Sequence, residues 1–332
     1  MCVNKKVTNN IMDTLKLFLT THLKRRLTQI GGFTLIELLV GMILAGLVIT
    51  PLMSFMTNIL DTSRREEAKA TSEQEVQSAV DYIAQDLKQA VYIYNAVGLN
   101  NNNLNTYPGI SGIKNQIPPE ALVPGCINNP PNDICVPVLV FWKRDIKEVV
   151  SREAITNNTF DTFVYSLVAY YLIKGNDPDE TWSKAARLGR FQITDAIKEP
   201  TNVDNYIESR SAGFQRFDLR APGITLEEKM NRWQKKPDEK YTTTVDTLVD
   251  YIDTSSLNPN CPTATQPNIQ QVPANLVGGF SACVNSSNTS AQIYLRGNAL
   301  ARIASGANCD GQANYCPTTS IQIQGRGLLN AD

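Results

Sequence analysis

From Leu38 to Leu60 the chain reads LLVGMILAGLVITPLMSFMTNIL, 23 residues without one charged side chain. A helix rises about 1.5 Å per residue, so roughly 20 such residues cross a hydrocarbon core of about 30 Å. A core helix of a soluble domain seldom stays uncharged for so long. A secretory signal would end at a small-residue cleavage site, and none follows directly. The run is therefore expected to cross a membrane once.

Charge placement gives the direction. Residues 1–32 carry Lys5, Lys6, Lys16, Lys24, Arg25 and Arg26 against Asp13 alone, a net of +5, which leaves the other 300 residues at −6. A basic head before an apolar span stays in the cytoplasm, and the acidic remainder goes outside. The spacing of Leu15, Leu19, Leu23 and Leu27 suits a basic amphipathic helix lying on the membrane face. A formal net charge of −1 gives no basic surplus for general nucleic-acid binding, and none is expected. The single histidine, His22, falls in the basic leader, so histidine triads and histidine metal sites are not expected in the body.

One carboxylate interrupts this pattern. Glu37 sits at the N-terminal edge of the apolar run, where an ionised side chain is costly and functional by default. Just before it stands Gly31-Gly32-Phe33-Thr34-Leu35-Ile36-Glu37. Cleavage after Gly32 would create an amine on Phe33, four residues from Glu37. In low dielectric an amine and a carboxylate each make the other cheaper to bury.

The stretch Gly31 to Val40 resembles the prepilin processing motif of type IV pilins and type II secretion pseudopilins. That resemblance implies a prepilin peptidase that cuts after Gly32 and methylates Phe33. It further implies that Glu37 pairs with the N-terminal amine of a neighbouring subunit during filament assembly. The expected partners are therefore the peptidase, other pilins or pseudopilins, the inner-membrane assembly platform and the membrane. The expected location is the cytoplasmic (inner) membrane, crossed once, with the head in the periplasm or outside.

Beyond Leu60 the segment to Val97 lacks Gly and Pro. Val76, Val80, Ile83, Leu87, Val91 and Tyr94 recur at helical spacing along one stripe. One helix is expected from about Phe33 to about Tyr94, with Gly41, Gly46 and Pro51 as weak points. Asp86-Leu87-Lys88-Gln89-Ala90 resembles a run met in the larger minor pseudopilins, the W-type minor pilins and J-type pseudopilins. The domains expected are a leader over 1–32, a transmembrane assembly half over 33–60, an amphipathic half over 61–98 and a β-rich head over 99–332.

The head begins in an Asn/Pro-rich link. Extended runs follow at Val136–Trp142, Phe163–Ile173, Leu188–Ile193, Thr242–Ile252, Ala291–Leu295 and Ser320–Gln324. Ser255–Pro273 and Asn285–Ser290 read as loops, and Leu226–Lys240 as an exposed, mixed-charge helix that includes Arg232, Lys235, Lys236 and Lys240. The fold class is α+β, pilin-like: a long N-terminal helix on an antiparallel sheet of about four to seven strands.

Cys126, Cys135, Cys261, Cys283, Cys309 and Cys316 form an even set in the head, as disulfides in an oxidising compartment require. Many pairings are possible; proximity favours Cys126–Cys135, Cys309–Cys316 and Cys261–Cys283. No metal or other cofactor is expected: there is no C-x2-C pair, Walker loop, G-x-S-x-G or H-E-x-x-H, so catalysis is not expected either. Asn176–Glu180 and Asn308-Cys309-Asp310 cluster oxygens without the alternation of a calcium loop. Asn157, Asn285 and Asn288 open formal glycosylation triplets and serve as surface-loop markers.

Leu248–Ile252, Ile293–Arg302 and Ile321–Gly327 resemble the C-type hormogonium polysaccharide secretion pseudopilins of filamentous cyanobacteria. This implies a minor pseudopilin that joins or primes a type IV pilus-like filament supporting extracellular polysaccharide secretion and gliding motility. The alternative is a minor pilin or type II secretion pseudopilin whose head binds DNA or an exported protein.

Overall fold

The computed structural model describes residues 32–104, 110–129, 133–150, 159–175, 181–200, 202, 204–263, 265–309 and 313–327. Residues 1–31, where a leader is expected, and Asn157, Asn176–Glu180 and Asp310 lie outside them. Two compact units divide the chain, Met1–Asp61 and Thr62–Asp332. The second unit thus starts inside the long helix, well before the composition changes at Leu99.

Helix α1 runs Leu35–Lys88 and passes Pro51 without interruption. In the first unit it is apolar all round, and its side chains are exposed. It is long and apolar enough to cross a membrane once. Two of its hydroxyls bond back to their own helix, Thr50 Oγ1 to the Gly46 carbonyl at 2.8 Å and Thr57 Oγ1 to the Ser54 carbonyl at 2.9 Å. Such bonding makes hydroxyls tolerable in an apolar helix.

In the second unit α1 buries Ala68, Ser72, Val76, Ala79, Val80, Ile83, Ala84, Asp86 and Leu87. This is the stripe that the spacing anticipates, but it ends one turn early. Ala90–Ile93 leaves the helix as strand β1, fully buried, and pairs with strand β2, Ile134–Val150, through Tyr92–Trp142 and Ile93–Phe141. The expected helix to Tyr94 is therefore corrected. Val91, Tyr92, Ile93 and Tyr94 are β-branched or aromatic, and the strand with the residue after it buries all four where a surface helix buries one stripe. A short helix α2, Ala96–Asn100, follows under an Asn95 cap.

The main sheet has the order β1-β2-β3-β4-β7. Strands β2 (Ile134–Val150) and β3 (Thr159–Lys174) form a long hairpin, β4 spans Ala186–Thr194 and β7 spans Asp246–Ile252. Strands β5 (Ile197–Lys198) and β6 (Tyr206–Glu208) make a small ribbon, which shares a satellite cluster with Val149 and Val164 of the hairpin. Helix α3 covers only Leu226–Met230, closed by a Thr225–Glu228 capping box. The expected helix to Lys240 fails because Met230 and Trp233 turn into the core, and the chain after them coils.

A second antiparallel sheet has the order β11-β10-β9-β8, with β8 at Gln270–Val272, β9 at Phe280–Asn285, β10 at Ser290–Arg296 and β11 at Thr318–Gln324. The expectation of one sheet is thus corrected to two sheets and a ribbon. An isolated bridge, Ile252–Gly297, links the end of β7 to the end of β10. One core joins Val76–Leu87 of α1 to both sheets. Trp142 is buried within it, with Phe214, Phe217 and Trp233 edge-on at 5.0–5.8 Å between ring centroids.

The architecture is pilin-like: a long N-terminal apolar helix whose second half packs on an antiparallel head.

Candidate processing and assembly site

Gly32, Phe33 and Glu37 gather at the start of α1. Gly32 has open space around its Cα, and Phe33 is 81% exposed. Thr34 begins the helix: its carbonyl accepts from Glu37 N at 3.0 Å and from Leu38 N at 3.2 Å, and its Oγ1 lies 3.3 Å from Glu37 N. Thr34 and Glu37 have capping-box spacing, so Glu37 lies at the third helical position, against the positive end of the helix dipole. This local role was not anticipated from the sequence. An amine on Phe33 would face the same positive end. It is poorly placed there unless a carboxylate neutralises it.

The head carries three disulfides: Cys126–Cys135, Cys261–Cys283 and Cys309–Cys316, with Cα separations of 5.4, 5.5 and 5.9 Å. The first closes the loop into β2, the second ties the 255–263 loop to β9, and the third closes the loop into β11. Each anchors irregular chain that contributes few core side chains.

The second half of α1 is tied to the strands by a buried carboxylate. The Asp86 carboxylate receives Lys143 Nζ at 2.9 Å, Tyr170 Oη at 2.6 Å, and Arg190 Nε and Nη2 at 3.0 and 2.8 Å. Lys143 also meets Asp145 at 3.0 Å, so two cations face two carboxylates. Burial alone would raise the Asp86 carboxyl. The Arg190 charge, and then the Tyr170 and Lys143 hydrogen bonds, outweigh it and hold the group below its ordinary 3.8. The visible signal was a carboxylate between Ile83 and Leu87 on the buried stripe. A second tie joins Glu75 of α1 to Arg302, whose guanidinium lies 4.2 Å over the Tyr251 ring. Gly297 permits close packing there, since a Cβ would stand 2.5 Å from Ser72 Oγ and 2.8 Å from Val76 Cγ2.

Among the described residues no three His, Cys, Asp or Glu side chains gather as a metal site. Of the basic residues after α3, Lys235 donates from Nζ to the Glu239 carbonyl at 2.7 Å and lies 5.8 Å from the Tyr241 ring, while Lys236 and Lys240 are exposed. Asn285, expected on a surface loop, is buried and closes the β9–β10 turn by accepting from Asn288 N at 3.2 Å. No family model, curated protein or solved structure matches this chain.

Proposed function

We propose that the chain is a minor pseudopilin, cut after Gly32 and methylated on Phe33, that joins or primes a type IV pilus-like filament. The observation that carries this reading is the first half of α1. It is an apolar helix with no buried side chain and one charge, Glu37, placed one turn from a glycine junction. A surface of this kind needs lipid or other helices around it. Within a bundle of such helices, Glu37 neutralises the Phe33 amine of the next subunit. The head would stand outside the cytoplasmic membrane, where its disulfides persist. Its C-terminal phrases favour a filament that supports polysaccharide export and gliding.

Coexpression with a prepilin peptidase tests the processing step. The chain should shorten by its 32-residue leader, and Gly32→Arg should block the cut. An unshortened product beside active peptidase overturns the reading. Glu37→Ala should leave cleavage intact but reduce stem crosslinking to neighbouring pilins, with Glu37→Asp intermediate. Equal crosslinking at equal cleaved protein would remove Glu37 from assembly.

A further inference from the structure

The outward face of β10 and β11 carries a strip of uncharged polar side chains. Ser290, Gln292 and Tyr294 of β10 stand directly opposite Gln324, Gln322 and Ser320 of β11. Their alternate neighbours Ala291, Ile293, Leu295 and Ile323 enter the core, so strand periodicity turns these six outward. The three on β11 are exposed and the three on β10 partly so. Among the described residues none of the six side chains has a hydrogen-bond partner. The strip is about 14 Å long and two strands, roughly 4.8 Å apart, wide.

Its chemistry restricts the partner. The nearest cation along β10, Arg296, is occupied by Asp253 at 2.6 Å, and Arg326 lies beyond the end of β11. A charged polymer therefore finds no row of counter-charges. An apolar partner would leave three amides and their neighbouring hydroxyls unpaired, which costs free energy. A partner dense in hydroxyls satisfies these groups, because each amide offers two donors and an acceptor. The partly exposed Tyr294 ring stands between Ser320, exposed on β11, and Ser281, buried on β9, and its accessible part can meet the flat, C–H-rich side of a sugar ring. The frame is also stiff: all seven β10–β11 pairs keep one register, and Cys261–Cys283 fastens β9 beside them.

We propose that this face binds a neutral polysaccharide, with Tyr294 as the stacking platform and Gln292, Gln322 and Gln324 as the hydroxyl-binding groups. The proposal rests on the export reading for the polymer that the face would meet. An extended peptide on the free edge of β11 is the competing occupant. It would use the strand's backbone and be largely indifferent to these six side chains.

The test is affinity electrophoresis of the full chain in detergent micelles, in native gels containing dextran, hydroxyethylcellulose or, as the acidic control, alginate. Neutral polymer should retard the protein and alginate should not. Tyr294→Ala and the double variant Gln292→Ala/Gln322→Ala should each weaken retardation about tenfold. Tyr294→Phe should keep most of it, and Gln77→Ala on the stem should keep all of it. Absence of retardation in both neutral gels overturns the proposal. So does retardation in alginate alone, or equal retardation of every variant. The export reading is judged separately: a Gly32→Arg strain that still exports polysaccharide overturns it. A strain that loses export while the purified chain ignores both neutral polymers overturns only the binding face.

Discussion

Between Leu35 and Leu60, α1 carries apolar side chains on every side and buries none of them; between Ala68 and Leu87 it buries one stripe and exposes charge on the rest. The backbone is the same helix throughout, so the difference lies in what surrounds it. The first half buries no side chain, and it is long and apolar enough to cross a membrane once. The second half has its partner in the same chain, and the contact is specific enough to include a buried carboxylate with four assigned donors. The lesson is that hydrophobic pattern reports the environment of a helix, while a charge inside the pattern reports how narrowly that environment is defined.

The largest expected effect breaks the second half alone. Asp86→Ala leaves Lys143 and Arg190 without their shared carboxylate, and should destabilise the Thr62–Asp332 unit by about 3 to 5 kcal/mol in denaturant unfolding. Leu47→Ala in the full chain should leave the same unfolding transition unmoved. A shift from Leu47→Ala as large as that from Asp86→Ala would erase the contrast.

Next come the cross-links. Replacing Cys126 and Cys135 together should cost roughly 2 to 5 kcal/mol, read from the same transition. Mass spectrometry of the unreduced head should find no free thiol among the six head cysteines.

Gly297→Val probes the close approach of α1 to the second sheet. The new side chain meets Ser72 and Val76, and should cost about 1 to 3 kcal/mol by overpacking.

The pH dependence sharpens the comparison further. The folded Asp86 carboxyl lies below its ordinary value, so the stability that it contributes is complete above pH 3.8 and drains away as pH falls through the folded value. Asp86→Asn should flatten that acid-side loss while lowering stability at neutral pH. The smallest effect belongs to the exposed stem pair Lys69–Glu73, 3.9 Å apart: Glu73→Ala should change stability by about 0.3 to 0.5 kcal/mol, and less in high salt.

Legibility in the sequence followed the same division. The charge-free run and the Val76–Leu87 stripe were readable because the first is apolar on every side and the second on one side only. The inward–outward alternation expected through Phe163–Tyr171 does not hold, because β3 is buried on both faces from Ser166 to Ile173. Strands β1 and β9 were missed because every one of their residues is buried, and a strand covered on both faces loses its alternation. Gly32, Phe33 and Glu37 were found through a local motif, but the capping position of Glu37 became visible only once Thr34 was seen to start the helix. The disulfide partners are near neighbours in sequence, as proximity favoured. Lys143, Tyr170 and Arg190 gave no such signal, because they come from three strands and meet Asp86 only through tertiary packing.

The shared core has a consequence for the order in which the head can be completed. Val76 to Leu87 of α1 and Ile323 of β11 belong to one cluster, and Ile323 is made after every other residue of that cluster. Everything between them must arrive before the cluster closes. A chain whose head follows the stem across a membrane would therefore present the stem as a template for the strands that follow, with the cluster incomplete until β11 docks. Truncation before Thr318 should leave that template open, and such fragments should be degraded or held by chaperones instead of accumulating as a smaller head.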